Sequence, residues 1–160
     1  MAIASEICNS FKEEILQGGH CLNASGSTPA GNTIKCALYS SNSAVLSKST
    51  TQWTVASTPS ADPTNTYEVT TTGSGYTSGG NTLTSTTPVV SGDTACCLFA
   101  STSWGTTASF TARGCLIYNS TNANKAVCAI NFGADKTVTT GTFTIEFPAQ
   151  TAGNAIIQIA

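Results

Sequence analysis

"TASFTARGCLIYNSTNANKAVCAINFG", residues 107–133, decides the class of fold. In its first half Phe110, Ala112, Leu116 and Tyr118 fall on one parity, the period of a β-strand with one face turned inward. That strand covers residues 107–119, and "KAVCAINFG" is the next. The polar turn "NSTNAN" between them makes the pair a hairpin. Arg113, the only arginine in the chain, sits on the parity opposite Phe110, Ala112 and Leu116, followed by Gly114. A fixed cation inside a strand needs a partner or a purpose.

The same period extends on both sides of the hairpin. "GTFTIEFP" places Phe143, Ile145 and Phe147 inward and Thr142, Thr144 and Glu146 outward, and "NAIIQIA" aligns Ala155, Ile157 and Ile159. Upstream, "TIKCALY" sets Ile34, Cys36 and Leu38 against Lys35, Ala37 and Tyr39, a half-buried strand. "NTLTSTTPVV" carries Leu83 and Val89 on one parity, with Pro88 marking an edge or a bulge. "TACCLFA" is apolar on both parities and belongs under cover. The polar stretch 48–65 reads as a loop with a short helical turn near Thr51–Thr54, and a glycine-rich segment follows it. Seven or eight short strands with turn signals between them predict a mainly β fold. The expected form is a β-sandwich or jelly-roll-like domain over residues 32–160.

Residues 1–19 read differently. Ile3, Ile7, Phe11 and Ile15 recur every fourth position, with Ala4, Cys8 and Leu16 widening the stripe. This spacing predicts an amphipathic helix of about 15 residues. Lys12, Glu13 and Glu14 share its other side, and Gly18-Gly19 ends it. The stripe is wider than a sandwich of this size must cover. The helix is therefore either an attachment or oligomer contact, or simply packed on its own domain.

Composition narrows the function. Only 9% of the 160 residues are charged, against about 25% in an ordinary soluble domain, and about three in ten are Ser or Thr. Such a surface is hydrated through hydroxyls. A net charge of −2 with no Lys/Arg run disfavours nucleic acid. No stretch approaches 18 apolar residues, so no membrane span is expected. The first 20 residues lack a basic region and an unbroken apolar run, so no secretory signal is read there, and synthesis in a cytoplasm is expected. Seven cysteines without a CxxC pair, several on the apolar parity of strands, read as reduced packing residues.

Catalytic constellations are thin. His20 is the only histidine and sits at the helix exit, a poor base for Cys21 or Cys97. The eight carboxylates show no spacing that singles out a pair, and no metal, phosphate or nucleotide motif occurs, so no cofactor is expected. Trp53, Tyr76 and Trp104 could serve as stacking platforms for a glycan. Arg113 is expected to lie across the outer face of the sheet as a structural clasp, forked onto Glu68 or Glu146. A buried arginine without a partner would cost several kcal/mol.

Five blocks in order carry a resemblance: "FKEEILQGGH" (11–20), "IKCALYSSNSAVLS" (34–47), "YEVTTTGSGYTSGGNTLT" (67–84), "FTARGCLIYN" (110–119) and "GTFTIEFP" (141–148). Nearly the full length resembles a family of small structural proteins of tailed bacteriophages. The chain departs from the family pattern in having Cys115 where alanine is usual after Arg-Gly, and extra threonine in "YEVTTTG". The resemblance implies a compact β domain with an N-terminal helix, no catalytic residues and a place in the virion. The expected role is a capsid decoration (cement) protein. It would bind the major capsid protein and itself, as a homo-oligomer such as a trimer, over a local symmetry axis. Two other roles stay open. One is a tail, neck or baseplate component binding host glycan, and the other, more remote, is a small cysteine hydrolase.

Overall fold

The computed structural model describes residues 3–40, 46–53 and 67–160. The elements in chain order are β1 (Glu6–Ile7), α1 (Asn9–Leu16), β2 (Ile34–Tyr39), β3 (Asn81–Leu83), β4 (Val89–Ser91), β5 (Thr94–Cys97), β6 (Thr102–Asn119), β7 (Lys125–Ile145) and β8 (Ile157–Ile159). They form two antiparallel sheets, one ordered β1-β7-β6-β2-β3 and the other β4-β5-β8. The fold is mainly β, as the alternating patterns predict. From residue 54 onward the polar stretch read as a loop lies outside the described residues, as does Thr54 of the expected helical turn.

The β6–β7 hairpin is longer than its sequence pattern suggests, and its two halves differ. Near the turn, from Gly114 to Asn119, every residue of β6 is buried. Beyond Gly114, Phe110 and Ala112 are buried while Thr111 is exposed and Arg113 only partly covered. The turn is closed by Ala123 and Asn124, both at positive φ. β2 pairs with the buried half, Leu38 opposite Cys115 and Cys36 opposite Ile117. It is covered on both faces rather than half-buried, since Ala37 and Tyr39 are as inaccessible as Ile34, Cys36 and Leu38. Its second face is closed from segments that sequence periodicity does not register. Trp53 stacks on Tyr118, whose register partner is Lys35 of β2, and Val69 and Tyr76 bond the backbone of Leu38.

The N-terminal segment departs from the expected long helix. Only Asn9–Leu16 is helical. Glu6 and Ile7 instead pair with Ala129 and Cys128 along the edge of β7, and the Cys8 amide donates to the Val127 carbonyl. Edge pairing satisfies backbone groups that a helix would otherwise satisfy within itself, and it keeps Ile3 and Ile7 directed at the sheet. Gly114 makes this possible. A Cβ there would lie 3.1 Å from two carbons of Ile3 and 2.4 Å from the Ile130 carbonyl oxygen. The Ile3 side chain occupies the space that glycine leaves. Residues 3–16 are thus woven into the β domain, with Ile3, Cys8 and Phe11 in its core and Ile7 and Ile15 packed against it. The helix ends as Gly18-Gly19 predict: Gly18 has φ of 74°, its N–H reaches Ile15 O, and the Gly19 N–H reaches Glu14 O.

One hydrophobic cluster draws on both sheets, with Cys97, Phe99 and Ile157 alongside Cys36, Leu116 and Ile117. Six of the seven free cysteines are buried, and Cys21 is the exception. Burial pushes the Cys8 thiol up to about 12 and Cys97 to about 11. The Cys128 thiol is raised by burial, and Cys115 by its hydrogen bond with Cys36 and by burial. A thiol reagent in native buffer should therefore label Cys21 fast and the other six only after denaturant is added. Fast native labelling of three or more, read by mass spectrometry, would contradict the packing described here.

Candidate interaction surface

The few charges are used mostly for internal bonding. Glu68 accepts hydrogen bonds at Oε1 from the Tyr76 hydroxyl (2.7 Å) and the Gly79 N–H (2.6 Å), and at Oε2 from Ser78 (3.2 Å). Tyr76 O–H in turn accepts from the Leu38 N–H, and Tyr118 O–H donates to Gly79 O. Burial, then the Glu68 charge, raises both phenols. Glu68 is a clasp, but it closes the segment 67–80 onto β2 and does not touch Arg113. The partner of Arg113 is Asp135, through one contact of 3.4 Å between side chains that are 31% and 46% exposed. Glu146 is exposed at the far end of β7. The register explains the correction, since Arg113 lies where β6 runs opposite the segment Asn131–Lys136 of β7, which places Asp135 alongside it.

A second knot joins the helix exit to the hairpin turn. Asn119, fully buried, accepts at Oδ1 from the N–H groups of Thr121 and Asn122 and donates from Nδ2 to Asn32 Oδ1 and His20 Nδ1. Nδ1 of His20 is therefore an acceptor, and Nε2–H donates to Glu14 Oε2 at 2.7 Å. Lys125 Nζ holds the other oxygen of Glu14 at 2.7 Å. Burial pushes the Glu14 carboxyl up, but the bonds from Lys125 and His20 outweigh it and hold the group below the usual range. With both ring nitrogens engaged, His20 has no atom free to take a proton from Cys21 or Cys97. Among the described residues no group of three or more His, Cys, Asp or Glu is placed to hold a metal ion, and no helix is long and apolar enough to cross a membrane.

Two of the three stacking candidates are closed to solvent. Tyr76 and Trp104 are each 3% exposed, inside a cluster with Phe110 and Phe143, and Trp53 is half-buried on Tyr118.

What solvent does meet is an apolar row that sequence reading did not single out. Ala95 of β5 is the register partner of both Val90 and Ile159, so the three side chains share one face of the small sheet. Cys97 and Ile157, two residues further along on the same face, are core residues. The row is the continuation of the inward-facing surface beyond its cover. Val90 is 75% and Ile159 58% exposed. Leu16, at the end of α1, is 89% exposed and lines a groove of about 360 Å³ with Ile7, Phe11, Ile15, Ile157 and Ile159. A smaller cavity of about 160 Å³ adjoins it, reaching Pro88 and Ala95. Leu16, Val89, Val90 and Ile159 are all the exposed large hydrophobics among the described residues. The signals for this surface were the doubled apolar pairs "VV" and "II", where strict alternation fails. No family model, curated protein or solved structure matches the chain.

Arg113→Ala should cost under ~1 kcal/mol, as expected for an exposed ion pair, whereas Glu68→Gln should cost about 1–3 kcal/mol by weakening three hydrogen bonds. Urea unfolding of the two variants checks the order, and a larger loss at Arg113 would reverse the assignment of the clasp. Glu14 sets a pH dependence. Its carboxyl is depressed in the folded chain, so its contribution is present above the unfolded value and lost as pH falls through the folded one. Wild type should exceed Glu14→Gln in melting temperature near neutrality, with the gap closing as the pH falls below the ordinary carboxylate range. A gap independent of pH would remove Glu14 as its source.

Proposed function

We propose that this chain is a non-enzymatic virion structural protein of a tailed bacteriophage, a capsid decoration protein that binds the outer surface of the head. In this reading it is made in the host cytoplasm, and its two sheets are the halves of a sandwich around the shared core. The observation that carries the proposal is the uncovered apolar surface of Leu16, Val90, Ala95 and Ile159 on a chain that otherwise faces water with hydroxyls and few charges. Contiguous exposed apolar area rimmed by polar residues marks an association surface. Its partners are the major capsid protein and further copies of this chain, a trimer over a local three-fold axis being the simplest arrangement. Each weak contact then acts at high effective concentration. The N-terminal segment contributes through the end of α1, while its inward stripe serves the fold. Burial of Tyr76 and Trp104 weighs against the alternative of a glycan-binding tail component, since a stacking platform must be open to the sugar.

The test is a triple variant, Leu16→Ser, Val90→Ser and Ile159→Ser, assayed by co-sedimentation with undecorated heads. Attachment should fall about tenfold or more while the melting temperature holds or rises, because the removed side chains are exposed. Full attachment by the variant would overturn the assignment of this surface.

A further inference from the structure

Phe132 and Phe143 are eleven positions apart on β7, yet their ring centroids are 6.2 Å apart. A straight strand would separate them by ~36 Å. β7 must therefore fold back on itself. The irregularities that allow this lie within the strand: Gly133 and Thr140 have positive φ, and the five steps from Asn131 to Lys136 oppose only two of β6, Ala112 to Gly114. Such bulges bend a ribbon and sharpen its twist. The fold-back leaves a cleft of about 350 Å³ lined by Phe132, Lys136, Phe143, Thr144, Ile145 and Glu146. That volume is within the range of small-ligand sites, about 300–1,000 Å³.

Two features of the cleft specify its occupant. Its apolar lining is the pair of phenyl rings with Ile145, and Lys136 and Glu146 line it too without forming an ion pair with each other or with any other described residue. Its lining thus offers one positive and one negative charge alongside apolar side chains. Beside it, among the described residues, β7 has β6 on one flank only, because β1 pairs no further than Cys128 and Ala129. A free strand edge is a template for another strand.

We infer that this cleft binds an extended peptide segment of a partner protein, with an apolar side chain on the phenyl rings, an acidic residue meeting Lys136 and a basic residue meeting Glu146. In an extended segment residues i−2, i and i+2 face the same way, so the recognised pattern is acid-x-apolar-x-base in one chain direction. The inference does not depend on the identity of the partner, and it uses a surface separate from the row at Val90 and Ile159.

Two capped pentapeptides test it, Asp-Thr-Phe-Thr-Lys and the reversed Lys-Thr-Phe-Thr-Asp, titrated into the full chain while the ring signals of Phe132 and Phe143 are followed by NMR. One peptide should shift those signals and bind about threefold to tenfold more tightly than the other, the scale of two exposed ion pairs. The double variant Lys136→Glu with Glu146→Lys should invert that preference. Lys136→Gln and Glu146→Gln should each reduce it, which keeps the test open if the double variant folds poorly. Free phenylalanine should not reproduce the shifts. Ring signals unmoved by either peptide at millimolar concentration would overturn the inference, as would equal binding of both, a preference that survives charge reversal, or equal shifts with the free amino acid.

Discussion

The pairing of β6 with β7 is the constraint on which the rest of the structure depends. Near the turn the hairpin is buried on both faces, so it can exist only if other segments cover it. β1 takes one edge and β2 the other, and α1 packs on the cluster through Phe11. The second face is closed by Trp53 and by the segment that Glu68 clasps. Further out that cover ends, the strands alternate in burial, and bulges let the ribbon curl over its own phenyl rings. A single hairpin thus changes character at Gly114, where the backbone must accept the Ile3 side chain on one flank and the Ile130 carbonyl on the other.

A chain with eight carboxylates could spread them over its surface for solubility. Here Glu14 and Glu68 are placed where they organise chain crossings instead. Glu14 satisfies His20 and Lys125 at the helix exit, and His20 passes the bonding to Asn119, which fixes the hairpin turn. Each member meets its donors and acceptors with few left over, the condition under which a buried polar network specifies one arrangement. The cost of this use is a surface poor in charge. Ser and Thr carry the hydration there, and pairs such as Ser103–Thr144 and Thr111–Thr137 bond across the strands of the ribbon.

Sequence periodicity was enough for the hairpin turn and the mainly β class, because period-two alternation reports one-sided burial directly, but it read "GTFTIEFP" as a strand of its own where β7 runs unbroken from Lys125 to Ile145. It failed where burial was two-sided or where pairing was long-range. Ala37 and Tyr39 read as outward because alternation assigns half of a strand to solvent, and nothing local announces that residues 46–53 and 67–80 will return over them. Ile3, Ile7, Phe11 and Ile15 fit a helix of period 3.6, but a free edge on β7 and a vacant slot at Gly114 offered the first two a better place. No local pattern encodes that competition. Arg113 was legible as an outer-face residue, yet its partner was set by a register irregularity, which shifts Asp135 into reach.

The two uncovered surfaces follow from the same geometry that built the core. Ala95 and Ile159 are apolar because they share the parity of Cys97 and Ile157, and they are exposed because no described element extends far enough to cover them. Phe132 and Phe143 are apolar because their side of the ribbon continues the cluster of Trp104 and Phe110, and they stay partly open because the fold-back stops short of closing. A surface dominated by hydroxyl groups gives weak, undirected contacts, so the proposed association falls at those places where the interior runs out of cover. The two are also chemically unlike, one mainly apolar with Lys12 and Gln158 at its lining and the other apolar with one charge of each sign.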